Sequence, residues 1–485
     1  LLASVNLRDG LLQAGVGHVH WKSNSHLAQA LAGETDMDLF VRPKDKAAFS
    51  RVMAELKALK ILSQPWASYP DVEDWLVFDA ASGAFLHLHV HYKLLTGLKR
   101  VKHLQLPWEE LLLANLRQDT ASKWPIPTAE MELLTLLVRL WAKMPPWRRV
   151  VKAKLPRHIQ GELLSLVGET TPSRVMDLAP KLGLTVNGEA LQRLWVSPTD
   201  SAVIFGLARQ FYAQMRPHYR MSWTKALMRA AQLNGEAVVR RVWLKFGHPI
   251  RYGKTLPDGG ALIAVIGADG SGKSTLSRDL TRWLRFKLDA HLLYMGSGDG
   301  AGGWVHKLRR GAKAAVTSTK KKSVSPTPVS KVRAPSMWEK LYRLLDLHLM
   351  RRKVRMLRLG RKLARDGSVI VLDRYPQSQV PGISDGPRQR NGSGFVWAAA
   401  AEKTLYHEAA GLGPDMVIKL RVDAQTAQAR KPDHGLEAIA RKCRIVDDLD
   451  FPQSEVVNVD ANQPYAQVLM EAKRAVWRYL AKLDA

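Results

Sequence analysis

The stretch Ala261-Leu262-Ile263-Ala264-Val265-Ile266-Gly267-Ala268-Asp269-Gly270-Ser271-Gly272-Lys273-Ser274-Thr275 decides how this chain is read. Its unbroken apolar run predicts a buried β-strand. Leu276, Leu280, Trp283 or Leu284, and Leu288 then recur at helical spacing. Strand, glycine turn and helix form the context in which such a sequence makes a phosphate-binding loop. Gly267, Gly270 and Gly272 let the backbone curl, through Ser271, so that several N–H groups point at one phosphate. The helix that opens at Lys273, Ser274 and Thr275 adds its partial positive charge. Lys273 is placed to reach the β- and γ-phosphates, and the Ser274 hydroxyl to ligate Mg²⁺. ATP and Mg²⁺ are therefore the expected cofactors.

The chain has 485 residues, 46% hydrophobic and 24% charged, as expected of a globular protein of several domains. Cys443 is its one cysteine, which excludes an intrachain disulfide. No signal-peptide pattern and no apolar run of about 18 residues is visible, so the expected location is cytoplasmic. The net charge of +29 points to anionic partners or to a solvated basic face. Zinc-finger spacing and an aromatic RNA-binding signature are both missing, which disfavours nucleic acid. ATP and an anionic small-molecule acceptor are the expected partners; an anionic membrane surface and a second copy of the chain stay open.

Downstream, Val369-Ile370-Val371-Leu372-Asp373-Arg374-Tyr375 reads as a buried strand ending in Asp-Arg-Tyr. Asp373 at such a tip can hold the shell of a Mg²⁺ ion, and Arg374 can bridge anionic oxygens. Asp299, beyond the apolar run Leu292–Met295, is a candidate substrate contact. Residues 312–336 are basic and of low complexity, the signature of a mobile insert.

Asp269 within Gly-x-Asp-Gly-Ser-Gly-Lys-Ser-Thr, followed by Asp-Arg-Tyr, resembles thymidylate kinase and its nucleoside-monophosphate kinase relatives. The resemblance implies a three-layer α/β/α P-loop kinase domain with a parallel sheet over 261–485. It assigns Asp269 and Arg374 to the acceptor, Asp373 to the metal side, and Arg430, Arg441 and Arg444 to a closing lid. The unfamiliar segment around Ile383–Pro387 means that thymine recognition does not follow.

At the other end, Lys22-Ser23 precedes a short helix and the strand Asp36-Met37-Asp38-Leu39-Phe40-Val41. Alternation places Asp36 and Asp38 on one face, where a divalent cation would relieve their repulsion. This stretch resembles the nucleotidyltransferase superfamily, with Lys22-Ser23 at the Gly-Ser position. The resemblance implies an α+β domain over 1–120, active or degenerate. The strand expected to carry a third carboxylate, Phe85–Tyr92, offers His87, His89 and His91 instead. A hydrogen-bonded strand face is the first reading of these histidines and a zinc site the second.

Residues 121–247 read as a helical region, with an apolar helix around Met131–Trp141 that Pro145-Pro146 ends, and 248–260 as a linker. The fold class is therefore α/β: P-loop kinase domain, nucleotidyltransferase-like domain and helical middle. The expected function is ATP/Mg-dependent phosphoryl transfer to a nucleotide or other phosphorylated or sugar acceptor. Proteins pairing two such halves resemble those encoded beside bacterial surface-polysaccharide genes. A non-catalytic nucleotide switch or membrane-associated assembly factor, and a bifunctional nucleotidyltransferase-kinase, are the alternatives.

Overall fold

A computed structural model describes residues 1–145, 149, 154–246, 253–296, 337–383, 385–387, 396–432 and 435–483. The insert at 312–336, Asp299 and the start of the linker lie outside these residues. The chain divides into two compact units, Leu1–Lys254 and Thr255–Leu483, apart from its last two residues.

The first unit is built on a five-stranded sheet in the order β1-β2-β5-β4-β3. Its strands are β1 (His18–His20), β2 (Met37–Val41), β3 (Leu59–Ile61), β4 (Val72–Phe78) and β5 (Phe85–His91). Only the β2–β5 pair is parallel. Alternation sorts the two faces. Met37, Leu39, Val41, Leu86, Leu88 and Val90 join the core formed with helices Leu2–Gln13, Leu27–Leu31 and Lys46–Glu55. The intervening residues of β5 are the three histidines, which therefore share the opposite face.

The helical region belongs to this same unit, because Val19, Trp21 and Phe40 pack in one core with Leu133, Leu137 and Phe211. Helix Ala129–Lys143 is buried nearly all round and ends just before the proline pair. Helices Pro172–Leu178, Gly188–Val196, Ser201–Gln214 and Trp223–Lys245 follow the sequence pattern. Helix Arg157–Glu169 does not stand out in that pattern, since Gly161 and Gly168 interrupt it. Two short antiparallel pairs also occur, Leu94–Thr96 with Leu104–Leu106 and Leu116–Gln118 with Pro125–Pro127; the strand Pro125–Pro127 falls inside the region read as helical.

The second unit holds a five-stranded, all-parallel sheet. Across it lie Ala290–Tyr294, Val369–Asp373, Leu262–Gly267, Met416–Arg421 and Glu455–Asp460. In chain order this is 2-3-1-4-5, so the chain leaves the first strand to one side and later returns to the other. Ligands of open α/β sheets bind at the carboxyl ends beside such a reversal. The loop strand is buried as an unbroken apolar run, as parallel sheets covered on both faces require. Leu262, Ala264 and Ile266 face a core with Met350, Val354 and Leu357 of the long helix Met337–Arg365. Helix Lys273–Arg285 packs on the sheet through Leu276, Leu280 and Leu284, so Leu284 rather than Trp283 completes its apolar stripe. Among the described residues no helix is long and apolar enough to cross a membrane.

Leu280 is fully buried while Arg282, on the same helix, is exposed. Leu280→Ala is expected to lower the unfolding free energy of the second unit by about 2–5 kcal/mol, and Arg282→Ala by less than about 0.5 kcal/mol. Urea denaturation of the two variants measures the contrast.

Candidate functional site

The first strand of the second unit delivers its chain into the glycine loop at the carboxyl edge of the sheet. Gly270 and Gly272 both have φ of +86°, a conformation that favours glycine. A Cβ on Gly270 would stand 2.3 Å from the Ala427 carbonyl oxygen, so the loop passes too close for a side chain. Gly272 precedes helix Lys273–Arg285 with no side-chain cap. First-turn amides of a helix lack intrahelical acceptors and suit an anion.

Lys273 is buried, and its Nζ donates to the Ala268 carbonyl at 2.9 Å. Burial, reinforced by the charge of Arg374, pushes its ammonium down to about 8. Ser274 is half-buried and Thr275 exposed in the first turn, while Ser271 is buried in the loop. Asp269 stands among three cations. Its Oδ2 lies 2.5 Å from Lys442 Nζ, and its Oδ1 lies 3.7 Å from Lys273 Nζ and 3.9 Å from Arg374 Nη2. Burial alone would raise this carboxyl; the bond from Lys442 and the charges of Lys273 and Arg374 hold it well below the usual range.

The strand Val369–Asp373 lies next to the loop strand, with Asp373 in register with Val265. Asp373 is therefore beside the loop, and its Oδ1 is buried with no hydrogen-bond partner among the described residues. Arg374 follows with φ of +77°, a left-handed backbone that a non-glycine residue adopts at a cost. Its amide donates to the Val265 carbonyl at 3.1 Å, which fixes the turn. Its guanidinium lies between Asp269 and Asp385, with Nη1 3.7 Å from Asp385 Oδ2 and Nε buried without a hydrogen-bond partner among the described residues.

Asp385 escaped the sequence reading. Lys353 Nζ holds its Oδ1 at 2.9 Å, and the Tyr406 hydroxyl donates to its carbonyl at 2.8 Å. A pocket of about 330 Å³ opens here, lined by Asp269, Lys273, Arg374, Asp385, Lys442 and Phe451 among others. Arg430 is exposed and donates to the Ala461 carbonyl at 2.8 Å. Arg441 and Arg444 are exposed on helix Leu436–Asp448 and do not line this pocket. Lys442, between them, does line it.

In the first unit, Lys22 Nζ lies 2.8 Å from Asp38 Oδ1 and His91 Nε2 lies 3.1 Å from the same oxygen. Burial would raise the Asp38 carboxyl, yet Lys22 beside it and bonds from His89 and His91 hold it well below the usual range. Ser23 has φ of +59°, a left-handed backbone, and follows Lys22 in the pair that stands at the Gly-Ser position of the resemblance. Asp36, just ahead of β2, accepts from His87 Nδ1 at 2.7 Å. β5 carries no carboxylate on this face, but β4 does: Asp74 is in register with His89, and its Oδ1 is 3.2 Å from His89 Nε2. Only the strand order reveals this.

The fold and loop define the second unit as a P-loop α/β unit. The chain is 31% identical to the "uncharacterized ATP-binding protein YghR" of Escherichia coli strain K12 over 222 residues, 44% of this chain and 86% of that protein. It is also 31% identical to the "uncharacterized ATP-binding protein YghS" of the same strain over 230 residues, 44% of this chain and 92% of that protein. The chain belongs to the family of these ATP-binding proteins. No family model matches it. Among solved structures, thymidylate kinase from Candida albicans is similar at 17% identity and a TM-score of 0.28, covering 47% of this chain and 94% of that one. Deoxyadenosine kinase from M. mycoides is similar at 14% identity and a TM-score of 0.26, covering 45% of this chain and 98% of that one.

The φ of +77° at Arg374 makes Arg374→Gly more stable than Arg374→Ala, by about 1 kcal/mol, in paired thermal melts. The depressed carboxyl of Asp269 contributes stability that is present above its unfolded pKa of about 3.9 and lost as pH falls below it. From about pH 5 to 3, the melting temperature of wild type is therefore expected to fall more steeply than that of Asp269→Asn.

Proposed function

We propose that the second unit transfers a phosphoryl group from ATP to an anionic acceptor, a nucleotide or another phosphorylated or sugar compound. The observation that carries this reading is the pocket in which Asp269 and Arg374 meet Lys273 and Lys442. A loop that only held a nucleotide would not need an acid and an arginine facing the same space. The ATP-binding relatives support the donor.

The partnerless, buried Asp373 Oδ1 beside the loop and the Ser274 hydroxyl in the first turn fit a Mg²⁺ ion. Bound there, Mg²⁺ would neutralise charge on the donor phosphates. The chain's own residues position the two substrates. The amides from Gly270 to Ser274 cradle the β-phosphate, and Lys273 turns from the Ala268 carbonyl to the γ-phosphate. Arg374 holds an anionic group of the acceptor, and Asp269 accepts from its donor groups. The acceptor oxygen then attacks the γ-phosphorus as the bridging bond to ADP breaks. Such transfer needs positioning and charge stabilisation rather than covalent chemistry by the protein. Lys442 is the pre-placed lid cation; Arg430, Arg441 and Arg444 join it on closure. With ATP as donor the reaction belongs to the cytoplasm, and the pairing of the two halves suggests surface-polysaccharide metabolism as its setting.

A second reading, nucleotidyl transfer by the first unit with Asp36 and Asp38 on the metal, is favoured by one feature. Lys22 pairs with Asp38 at 2.8 Å, and the charges of Lys102, Arg139 and Lys143 also act on Asp38. Burial, then the charge of Lys22, pushes Lys102 down to about 7. Lys143, exposed at the end of helix Ala129–Lys143, is pushed down to about 6, chiefly by Arg139. A polyphosphate would relieve this crowding.

ADP release, followed across nucleoside monophosphates and sugar phosphates, tests the first reading. Acceptor-stimulated release is expected, falling at least about a hundredfold in Lys273→Ala and in Arg374→Ala. A wild type that neither binds nor consumes ATP would sink it. For the second reading, inorganic triphosphate is expected to raise the melting temperature of Lys273→Ala, and Asp38→Asn to abolish metal-dependent nucleotidyl transfer. The reading fails if triphosphate leaves that melting temperature unchanged.

A further inference from the structure

We propose that the first unit binds a transition-metal dication of the zinc class through Asp36, His87 and His89, with Asp74 closing the site. The site is independent of the P-loop and shares only Asp36 with the Asp36–Asp38 site of the second reading. The sheet assembles it. His87 and His89 are two apart on β5 and so share a face. His89 is in register with Asp38 on one neighbouring strand and with Asp74 on the other. Asp38 is engaged by Lys22 and His91, which leaves Asp36 as the β2-side carboxylate nearest His87.

Asp36, His87 and His89 each offer a ligand atom, all within 4.8 Å of one another. His89 Nε2 is 3.7 Å from Asp36 Oδ2 and 3.2 Å from Asp74 Oδ1. Donors bound about 2.0–2.1 Å from a tetrahedral ion stand about 3.3 Å apart, so these separations need little adjustment. Both ring nitrogens of His87 face carboxylates, Asp36 at 2.7 Å across Nδ1 and Asp74 at 3.4 Å across Nε2. His87 is buried, so its ring is already fixed.

The donor set selects the metal. Two imidazoles with carboxylates suit zinc, manganese or cobalt, whereas magnesium and calcium prefer oxygen alone. The place also suits a cation electrostatically. Lys254 Nζ lies there now, 2.6 Å from Asp74 Oδ1 and 3.1 Å from His87 Nε2. Its flexible stem lets the ammonium withdraw when an ion enters.

The test uses the full chain, stripped with a chelator and dialysed against ZnCl₂ with magnesium in excess. About one zinc per chain is expected, equally in wild type and Lys273→Ala, and lost in the Asp36→Asn/His89→Gln double variant. These two positions are partly exposed, so the double variant is expected to fold, and circular dichroism checks that it does. No zinc bound by wild type, or zinc bound undiminished by the folded double variant, would overturn the proposal.

Discussion

A single carboxylate, Asp269, set among Lys273, Arg374 and Lys442, is the constraint on which the second unit depends. Each cation reaches it from a different element: the loop helix, the tip of the neighbouring strand and a helix late in the chain. Removing the carboxylate would take from the buried Lys273 a compensating charge, which is costly. The arrangement also joins fold to chemistry. The strand order 2-3-1-4-5 brings the Asp373 strand against the loop strand, and the left-handed turn at Arg374 aims the guanidinium back across it. The long helix Met337–Arg365 closes the far side, since its Lys353 fixes Asp385, which in turn faces Arg374.

The loop, its strand and its helix were legible in the sequence because their signals are local: an apolar run, glycines at set offsets and a helical stripe. The pairing of Asp269 with Arg374 was legible because both motifs end on strands that a parallel sheet must bring to one edge. Lys442 was not, because Arg441, Lys442 and Arg444 differ only in their rotation about one helix, and docking decides which faces the pocket. Asp385 was hidden in an irregular segment whose partners, Lys353 and Tyr406, lie on separate helices. Asp74 was hidden by strand order, since β4 precedes β5 in the chain yet flanks it on the side away from β2. Helix Arg157–Glu169 was obscured by glycines at positions with open space around them, where the apolar contacts of Leu163, Leu166 and Val167 hold the helix despite low propensity.

The first unit shows how one sheet face can gather polar chemistry while the other builds a core. Its apolar face packs three helices, and its histidine face carries Asp38, Asp74 and the three rings. That face sorts its partners by position. Lys22 and His91 engage Asp38, while His87 and His89 meet Asp36 and Asp74. A register shift of one residue would turn every one of these groups into the apolar core.

The most direct test of the central claim is calorimetric titration of ATP·Mg²⁺ into wild type and Lys273→Ala. Saturable binding to wild type, weakened at least about tenfold in the variant, is the predicted result. Equal affinity in the two proteins, or no binding by either, would contradict the account.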